Sequence, residues 1–311
     1  MKRTIKAIIA ATGAAIMCAA PVLTSVSSTH IVNNITASAS YVVNAFDSFD
    51  NNWVPSITGV SNGVTKVNLG HVNYEFDKDA KTATILGIDN ADSRIKFPKG
   101  INVNGTFYAT TAIKDGAFYK KDGQKQDNGK AAPMGAPLTM VDLSAAVNLE
   151  TIGEDAFNGC TKLTGSIKLP KTLTSIGARA FRDTAITEVA YTVEDRKPVS
   201  VLNSIGDDAF YNCKSLTKIY LPATMKTVGN RAFSWSGITL ANFAGPSSED
   251  IIIKSEAFAH CSKLTSIGTD RTVDKSSFKE AFRDNPKANV HRYSSSTSDE
   301  LVGRFKIYFG L

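Results

Sequence analysis

A recurring sequence motif constrains the fold more than any other feature of this sequence. LETIGEDAF at 149–157 returns as LTSIGARAF (173–181), LNSIGDDAF (202–210), MKTVGNRAF (225–233) and, more loosely, DIIIKSEAF (250–258). Its phenylalanine recurs about every 24 residues, a period typical of solenoid repeats. One coil of that length cannot bury its own apolar side. Stacked coils must therefore share a core, and the residues that fill it must recur in each coil.

A second repeated segment lies upstream of each copy of this motif and alternates apolar with polar residues. It is seen as LTMVDL (138–143), LTGSIKLP (163–170), ITEVAY (186–191) and LTKIYLP (216–222). Alternation of this kind predicts strands with one buried face. Proline cannot donate to a strand ladder, so Pro170 and Pro222 are expected to end two of these strands.

Within the motif, the recurring positions have predicted roles. The phenylalanines are expected to form one buried file of Phe118, Phe157, Phe181, Phe210, Phe233, Phe258 and, loosely, Phe282. The glycines Gly177, Gly206 and Gly229 are expected to let the backbone turn sharply. The alanine before each phenylalanine leaves room for the neighbouring coil.

The combined pattern L-T-x-I-x-L-P-x-x-[LVM]-x-x-I-G-x-x-A-F-x-x-C-x-x-L resembles BspA-type leucine-rich repeats of bacterial surface proteins, and residues 151–181 match it almost position for position. The resemblance implies a β-rich leucine-rich-repeat solenoid of short strands and turns with an N-terminal β-hairpin cap. It also implies a secreted or cell-surface bacterial protein. Such a protein would bind an extracellular protein, or adhere to host or neighbouring cells, without being an enzyme.

The remaining segments divide the chain around these repeats. The expected division is a signal peptide (1–39), a linker or cap (40–71), a β-hairpin and degenerate first repeat (72–118), a loop insertion (119–137), the repeats (138–269) and a C-terminal cap (270–311). The polar run TVEDRKPVS at 192–200 is expected to form a second, shorter loop.

The first 39 residues have the layout of an export signal. Basic residues precede the uncharged apolar run 7–20, and Ala37-Ser38-Ala39 forms a cleavage pattern. An uncleaved membrane anchor and a lipoprotein at Cys18 stay open as alternatives. The basic residues of this leader supply half of the net charge of +6. The mature chain then carries too little positive charge to predict binding of nucleic acid, and no later stretch is apolar and long enough to span a membrane.

Three cysteines follow the leader, each three residues after a repeat phenylalanine. They are Cys160, Cys213 and Cys261, and Thr184 and Ser236 hold the positions between them. Sulfur atoms two coils apart would lie about 10 Å from each other, which is beyond the reach of a disulfide. Three free, buried thiols are therefore predicted. A catalytic pair of Cys261 with its neighbour His260 is disfavoured, because adjacent side chains usually point apart.

Other candidate sites carry weaker signals. GVSNG at 59–63 has the spacing of a nucleophile elbow, but its polar setting favours a simple turn. The carboxylate pairs Glu154-Asp155 and Asp207-Asp208 occupy a variable slot of the repeat, which favours a solvated surface. No cluster has the spacing of metal ligands, and no cofactor is predicted.

If the chain is a binding module, the outward positions of the repeated strands are its expected surface. The binding residues predicted there are Met140, Asp142, Lys168, Glu188, Lys218, Tyr220, Leu240 and Asn242. An exposed aromatic residue with charged neighbours suits protein recognition, so Tyr220 is the predicted hot spot. Two alternatives are a carbohydrate-associated or enzymatic accessory role and a structural spacer that has no ligand.

Overall fold

A computed structural model describes most of the repeat region. The described residues are 54–69, 72–88, 94–119, 137–194, 197–243, 251–269, 279–285 and 287–292. The leader, nearly all of the loop insertion at 119–137 and the C-terminal tail after residue 292 lie outside them. Within the described ranges, no helix combines the length and the apolarity needed to cross a membrane.

The described chain is almost entirely strand and turn, with one short helical turn at 279–281. Its 20 strands are β1 (Ser56–Ile57), β2 (Lys66–Leu69), β3 (Val72–Asp77), β4 (Thr82–Ile88), β5 (Arg94–Lys96), β6 (Gly100–Val103), β7 (Thr106–Ile113), β8 (Met140–Asp142), β9 (Thr151–Ile152), β10 (Thr164–Leu169), β11 (Ser175–Ile176), β12 (Ala185–Glu194), β13 (Lys197–Val199), β14 (Ser204–Ile205), β15 (Lys218–Leu221), β16 (Thr227–Val228), β17 (Leu240–Phe243), β18 (Ile252–Ile253), β19 (Ser266–Thr269) and β20 (Asn289–Arg292).

Two sheets of parallel repeat strands make the described repeats a β-solenoid. One sheet orders its repeat strands β7-β9-β11-β14-β16-β18, and the other orders them β10-β12-β15-β17-β19-β20. From residue 149 to residue 269, each coil, called a rung below, adds one strand to each sheet. The registers align equivalent residues from rung to rung, as Ile152 pairs with Ile176 and Ile176 with Ile205. The predicted leucine-rich-repeat solenoid is confirmed.

Antiparallel strands cap the N-terminal end. β3 and β4 form a hairpin whose turn is held by Asp77, whose carboxylate accepts the Asp79 and Ala80 amides at 2.8 and 2.9 Å. These backbone hydrogen bonds lower the pKa of Asp77. β4 then pairs in parallel with β7, which carries the hairpin into the stack. The predicted hairpin cap is therefore present.

The phenylalanine file forms the core. Phe118, Phe157, Phe181, Phe210, Phe233, Phe258 and Phe282 stack in order, with ring centroids 4.7 to 5.2 Å apart. The first six are at most 1% exposed. Because ring spacing matches the strand spacing of about 4.8 Å, the file and the two sheets keep one period.

Two local predictions are wrong. The run at 192–200 is no simple loop, because β12 extends to Glu194 and pairs antiparallel with β13. Gly177 and Gly206 also do not make the turn, since neither has a positive φ. A Cβ on Gly177 would lie 2.5 Å from the Glu154 nitrogen, and one on Gly206 would lie 2.5 Å from the Ala178 nitrogen. These glycines let neighbouring rungs approach, and the left-handed residue lies two positions later, for example Arg179 at φ 55°.

Candidate functional site

The outward side chains of β8, β10, β12, β15 and β17 form one surface, named the strand face. Ser166 pairs in register with Glu188, and Glu188 with Lys218, so these residues form a continuous row across three rungs. Lys168, Glu188 and Lys218 are exposed, Met140 is 40% exposed, and Asp142 and Asn242 are half-buried. Asp142 lies 3.8 Å from Lys96, measured from Oδ2 to Nζ. The strand face is therefore mixed in charge, with Met140 as its exposed apolar residue.

Two of the predicted binding residues on these strands are buried. Tyr220 is only 6% exposed and Leu240 only 7% exposed, so the expectation that they project into solvent is wrong. β12 and β15 pair only at Glu188 and Lys218. Beyond that pair, the Tyr191 ring packs edge-on against the Tyr220 ring, with centroids 5.9 Å apart, and its hydroxyl donates to the Tyr220 carbonyl at 2.8 Å. The predicted hot spot is part of the buried aromatic packing.

The carboxylate pairs do more than face water. Arg179 donates from Nε and Nη2 to the two carboxylate oxygens of Asp155 at 2.9 and 2.8 Å, and also contacts Glu154. Arg231 makes the same double contact with Asp208 at 2.9 and 2.8 Å. These hydrogen bonds to carboxylates raise the pKa of both arginines above the ordinary value. These bidentate pairs link consecutive rungs of the solenoid.

Cys160, Cys213 and Cys261 form the predicted column, and all three are buried and free. Cys213 Sγ donates to the Phe181 carbonyl at 3.1 Å, and Cys261 Sγ donates to the Phe233 carbonyl at 3.2 Å. The intervening hydroxyl of Thr184 donates to the Phe181 carbonyl at 2.8 Å. Burial raises the pKa of Cys213 to about 12. These thiols therefore act as structural hydrogen-bond donors.

The turns that follow the phenylalanines line one edge of the solenoid, named the turn edge. It comprises residues 158–162, 182–184, 211–215, 234–237 and 259–263. Trp235 is 50% exposed there, and its ring stacks on His260 with centroids 4.6 Å apart. His260 Nδ1 lies 3.6 Å from an Asp284 carboxylate oxygen, while Cys261 faces the interior. Sequence reasoning missed Trp235, although the position two residues after the phenylalanine is a left-handed turn residue in successive rungs.

Neither surface contains a recognisable metal site. Over the described ranges, no group of three or more histidine, cysteine, aspartate or glutamate residues could hold a metal ion. The two surfaces offer charged, amide and aromatic groups instead, which are the groups that contact other macromolecules.

Comparison with protein families gives a clear match. The family described as "BspA type Leucine rich repeat region" matches in six copies, over residues 134–197 and 196–298. These residues make up more than half of the chain. A search among curated proteins found no match.

Several solved structures are similar. A leucine-rich repeat protein of T. pallidum is 23% identical, with 63% of this chain and 78% of that chain covered and a TM-score of 0.46. A leucine-rich cell surface protein of Faecalibacterium prausnitzii is 20% identical, with coverages of 66% and 55% and a TM-score of 0.43. The pneumococcal vaccine antigen PcpA is 16% identical, with coverages of 65% and 64% and a TM-score of 0.44.

Proposed function

Since the chain belongs to the family of BspA-type leucine-rich repeat proteins, we propose that it is a secreted or cell-surface protein that binds an extracellular protein through the strand face. Leucine-rich-repeat solenoids typically act as interaction scaffolds rather than as enzymes. Stacked rungs give such proteins an extended, rigid binding surface. Adhesion to host or neighbouring cells is the biological role that this proposal implies.

The row from Ser166 through Glu188 to Lys218 is the observation that carries the proposal. Parallel pairing holds these outward residues at about 4.8 Å per rung, so a partner meets a row of side chains already in place. Preorganisation of this kind lowers the entropic cost of binding. Lys168 and Met140 extend the surface on either side, whereas Tyr220 and Leu240 are excluded by their burial.

The partner's charge should complement this row. The exposed side chains of Lys168 and Lys218 flank Glu188. The strand face therefore fits a partner that places acidic groups opposite the two lysines and a basic group opposite the glutamate. Complementary charges of this kind set specificity and speed the encounter more than they raise affinity.

Charge reversal at the strand face tests the proposal. The full chain is incubated with solubilised extracellular-matrix protein and with surface protein from neighbouring bacteria, and the bound protein is identified. We expect one protein to bind the natural chain and to lose most of that binding when Lys168→Glu and Lys218→Glu are combined. The matched control combines Lys78→Glu and Lys81→Glu in the exposed turn between β3 and β4. Equal binding by both double variants would exclude the strand face.

A further inference from the structure

Trp235 is a large aromatic residue held in a fixed position at the surface. Half of its surface is exposed, whereas one ring face is covered by the His260 ring. His260 is placed in turn by Asp284, at 3.6 Å. The Trp235 amide also donates to the Ala259 carbonyl of the next rung at 3.1 Å. An exposed tryptophan that is already ordered loses little entropy when a partner covers it.

The turn edge alternates between two kinds of turn. After Phe157, Phe210 and Phe258 the turn carries a cysteine and an exposed lysine, whereas after Phe181 and Phe233 it is one residue shorter and carries a hydroxyl residue in the cysteine position. The exposed lysines are therefore spaced two rungs, or about 10 Å, apart. They are Lys162, Lys214 and Lys263. The Lys214 backbone lies directly against the Trp235 turn, since a Cβ on Gly237 would be 2.1 Å from the Lys214 oxygen.

Positive charge is in excess along this edge. Its turns contain Lys162, Arg182, Lys214 and Lys263 against Asp183, and the turn after Phe282 adds Arg283 and Asp284, which lie 3.7 Å from each other. Asp183 is already engaged, because it accepts a hydrogen bond from Asn212 at 2.5 Å and lies 3.3 Å from Arg182 Nε. The three lysines have no ion-pair partner in the described part of the chain. The turn edge therefore offers uncompensated positive charge to a partner.

A second aromatic group and a cleft lie beside these charges. The Arg182 guanidinium sits 4.8 Å from the centre of the Tyr211 ring, which holds both groups in place. A cleft of about 650 Å³ opens next to Arg182 and is lined by Thr161, Asp183 and Asn212 among other residues. Tryptophan, tyrosine and arginine are the residues that contribute most at protein interfaces.

We propose that the turn edge is a second interaction surface, which binds an acidic, extended segment of another protein. An apolar side chain of that segment packs on Trp235, and its carboxylates pair with Lys162, Lys214 and Lys263. The excess of lysine favours an acidic peptide over a neutral sugar. An anionic glycan would also use the lysines, and its sugar rings can stack on Trp235, so the comparison of acidic and neutral peptides with heparin separates the two classes.

The probe is a synthetic peptide in which a central leucine is flanked on each side by a run of glutamates. A matched peptide has glutamine at every glutamate position, and heparin represents an anionic glycan. Binding of each to the full chain is measured by calorimetry at two salt concentrations. We expect the glutamate peptide to bind more tightly than the glutamine peptide, and the difference to shrink as salt rises.

Two variants test the two halves of the surface. Trp235→Asn keeps the left-handed backbone, because Asn212 occupies the equivalent position with φ 58°, and it is expected to weaken binding about tenfold or more. The triple change Lys162→Gln, Lys214→Gln and Lys263→Gln should weaken binding and remove most of its salt dependence. Val147→Ser, at a residue 47% exposed elsewhere, is the control that should change nothing.

These outcomes can be told apart from failure of the proposal that the strand face binds a protein. The Lys168→Glu and Lys218→Glu variant should bind the glutamate peptide as the natural chain does. Equal affinity for the two peptides, or unchanged affinity after Trp235→Asn in a chain with an unchanged urea midpoint, overturns the proposal. Heparin binding that depends on the lysines, with no preference for the glutamate peptide over the glutamine peptide, overturns it in favour of a glycan surface.

Discussion

The guanidinium of Arg231 makes two parallel hydrogen bonds, of 2.9 and 2.8 Å, to the carboxylate of Asp208 on the preceding rung. The Arg179–Asp155 pair repeats this geometry two rungs earlier. In both pairs the aspartate lies in a rung whose turn carries a cysteine. The arginine lies in the next rung, whose turn is one residue shorter. The charged pairs and the thiol column therefore share one period, and two rungs form the structural unit.

Loss of the Arg231 side-chain charge should destabilise the solenoid. The Asp208 side chain is only 8% exposed, so Arg231→Met would leave an almost buried carboxylate without its partner. Because half of the Arg231 side chain is in water, we expect a loss of about 1–2 kcal/mol in the free energy of unfolding rather than the full cost of a buried pair. Urea denaturation followed by circular dichroism measures it.

Arg179→Met is the matched control for that prediction. Its partners are Asp155, whose side chain is 20% exposed, and Glu154, whose side chain is 51% exposed, so water can compensate part of both lost contacts. We expect a smaller loss than for Arg231→Met. A loss of the same size in both variants would contradict the assignment of the effect to the burial of Asp208.

The phenylalanine file should contribute most of the core's stability. Phe210 is 1% exposed and lies between rings 5.2 and 5.1 Å away. Phe210→Ala should therefore lower the free energy of unfolding by about 3–5 kcal/mol. Phe107→Ala, at a residue 41% exposed whose ring covers Gly100, should lower it by only about 1–2 kcal/mol. Urea midpoints that shift equally for both variants would show that the file is not the core.

The repeat glycines should tolerate no side chain. The Gly206 amide donates to the Ile176 carbonyl at 2.8 Å, so its backbone cannot move away from the preceding rung. Gly206→Ala would place a Cβ 2.5 Å from the Ala178 nitrogen, and we expect it to cost about 3 kcal/mol or more. Gly165→Ala is the control, because Gly165 has φ 84° and open space, so only the backbone strain of about 1–2 kcal/mol remains. The opposite order in thermal unfolding would refute the close-approach argument.

The predictable parts of the fold are those that recur at a fixed offset in the repeat. The ring file and the column of Cys160, Cys213 and Cys261 follow from position alone, because every rung must fill the same core. The burial of Tyr220 was not predictable in this way, because it depends on Tyr191 in another strand. Trp235 was not predictable for a different reason, since it lies in a turn and the alternating pattern points only to the strands.

Alkaline pH should destabilise the protein through its buried thiols. Burial raises the pKa of Cys213 from 9.0 to about 12. Between these two values the unfolded chain releases a proton that the folded chain keeps, so stability falls as pH rises. The expected slope is about 1.4 kcal/mol per pH unit for this thiol. Cys213→Ser removes that contribution and fits the column, because Thr184 and Ser236 already place hydroxyls there. Urea midpoints from pH 8 to pH 11 should therefore fall less steeply in this variant, and identical slopes would mean that Cys213 ionises in the folded protein.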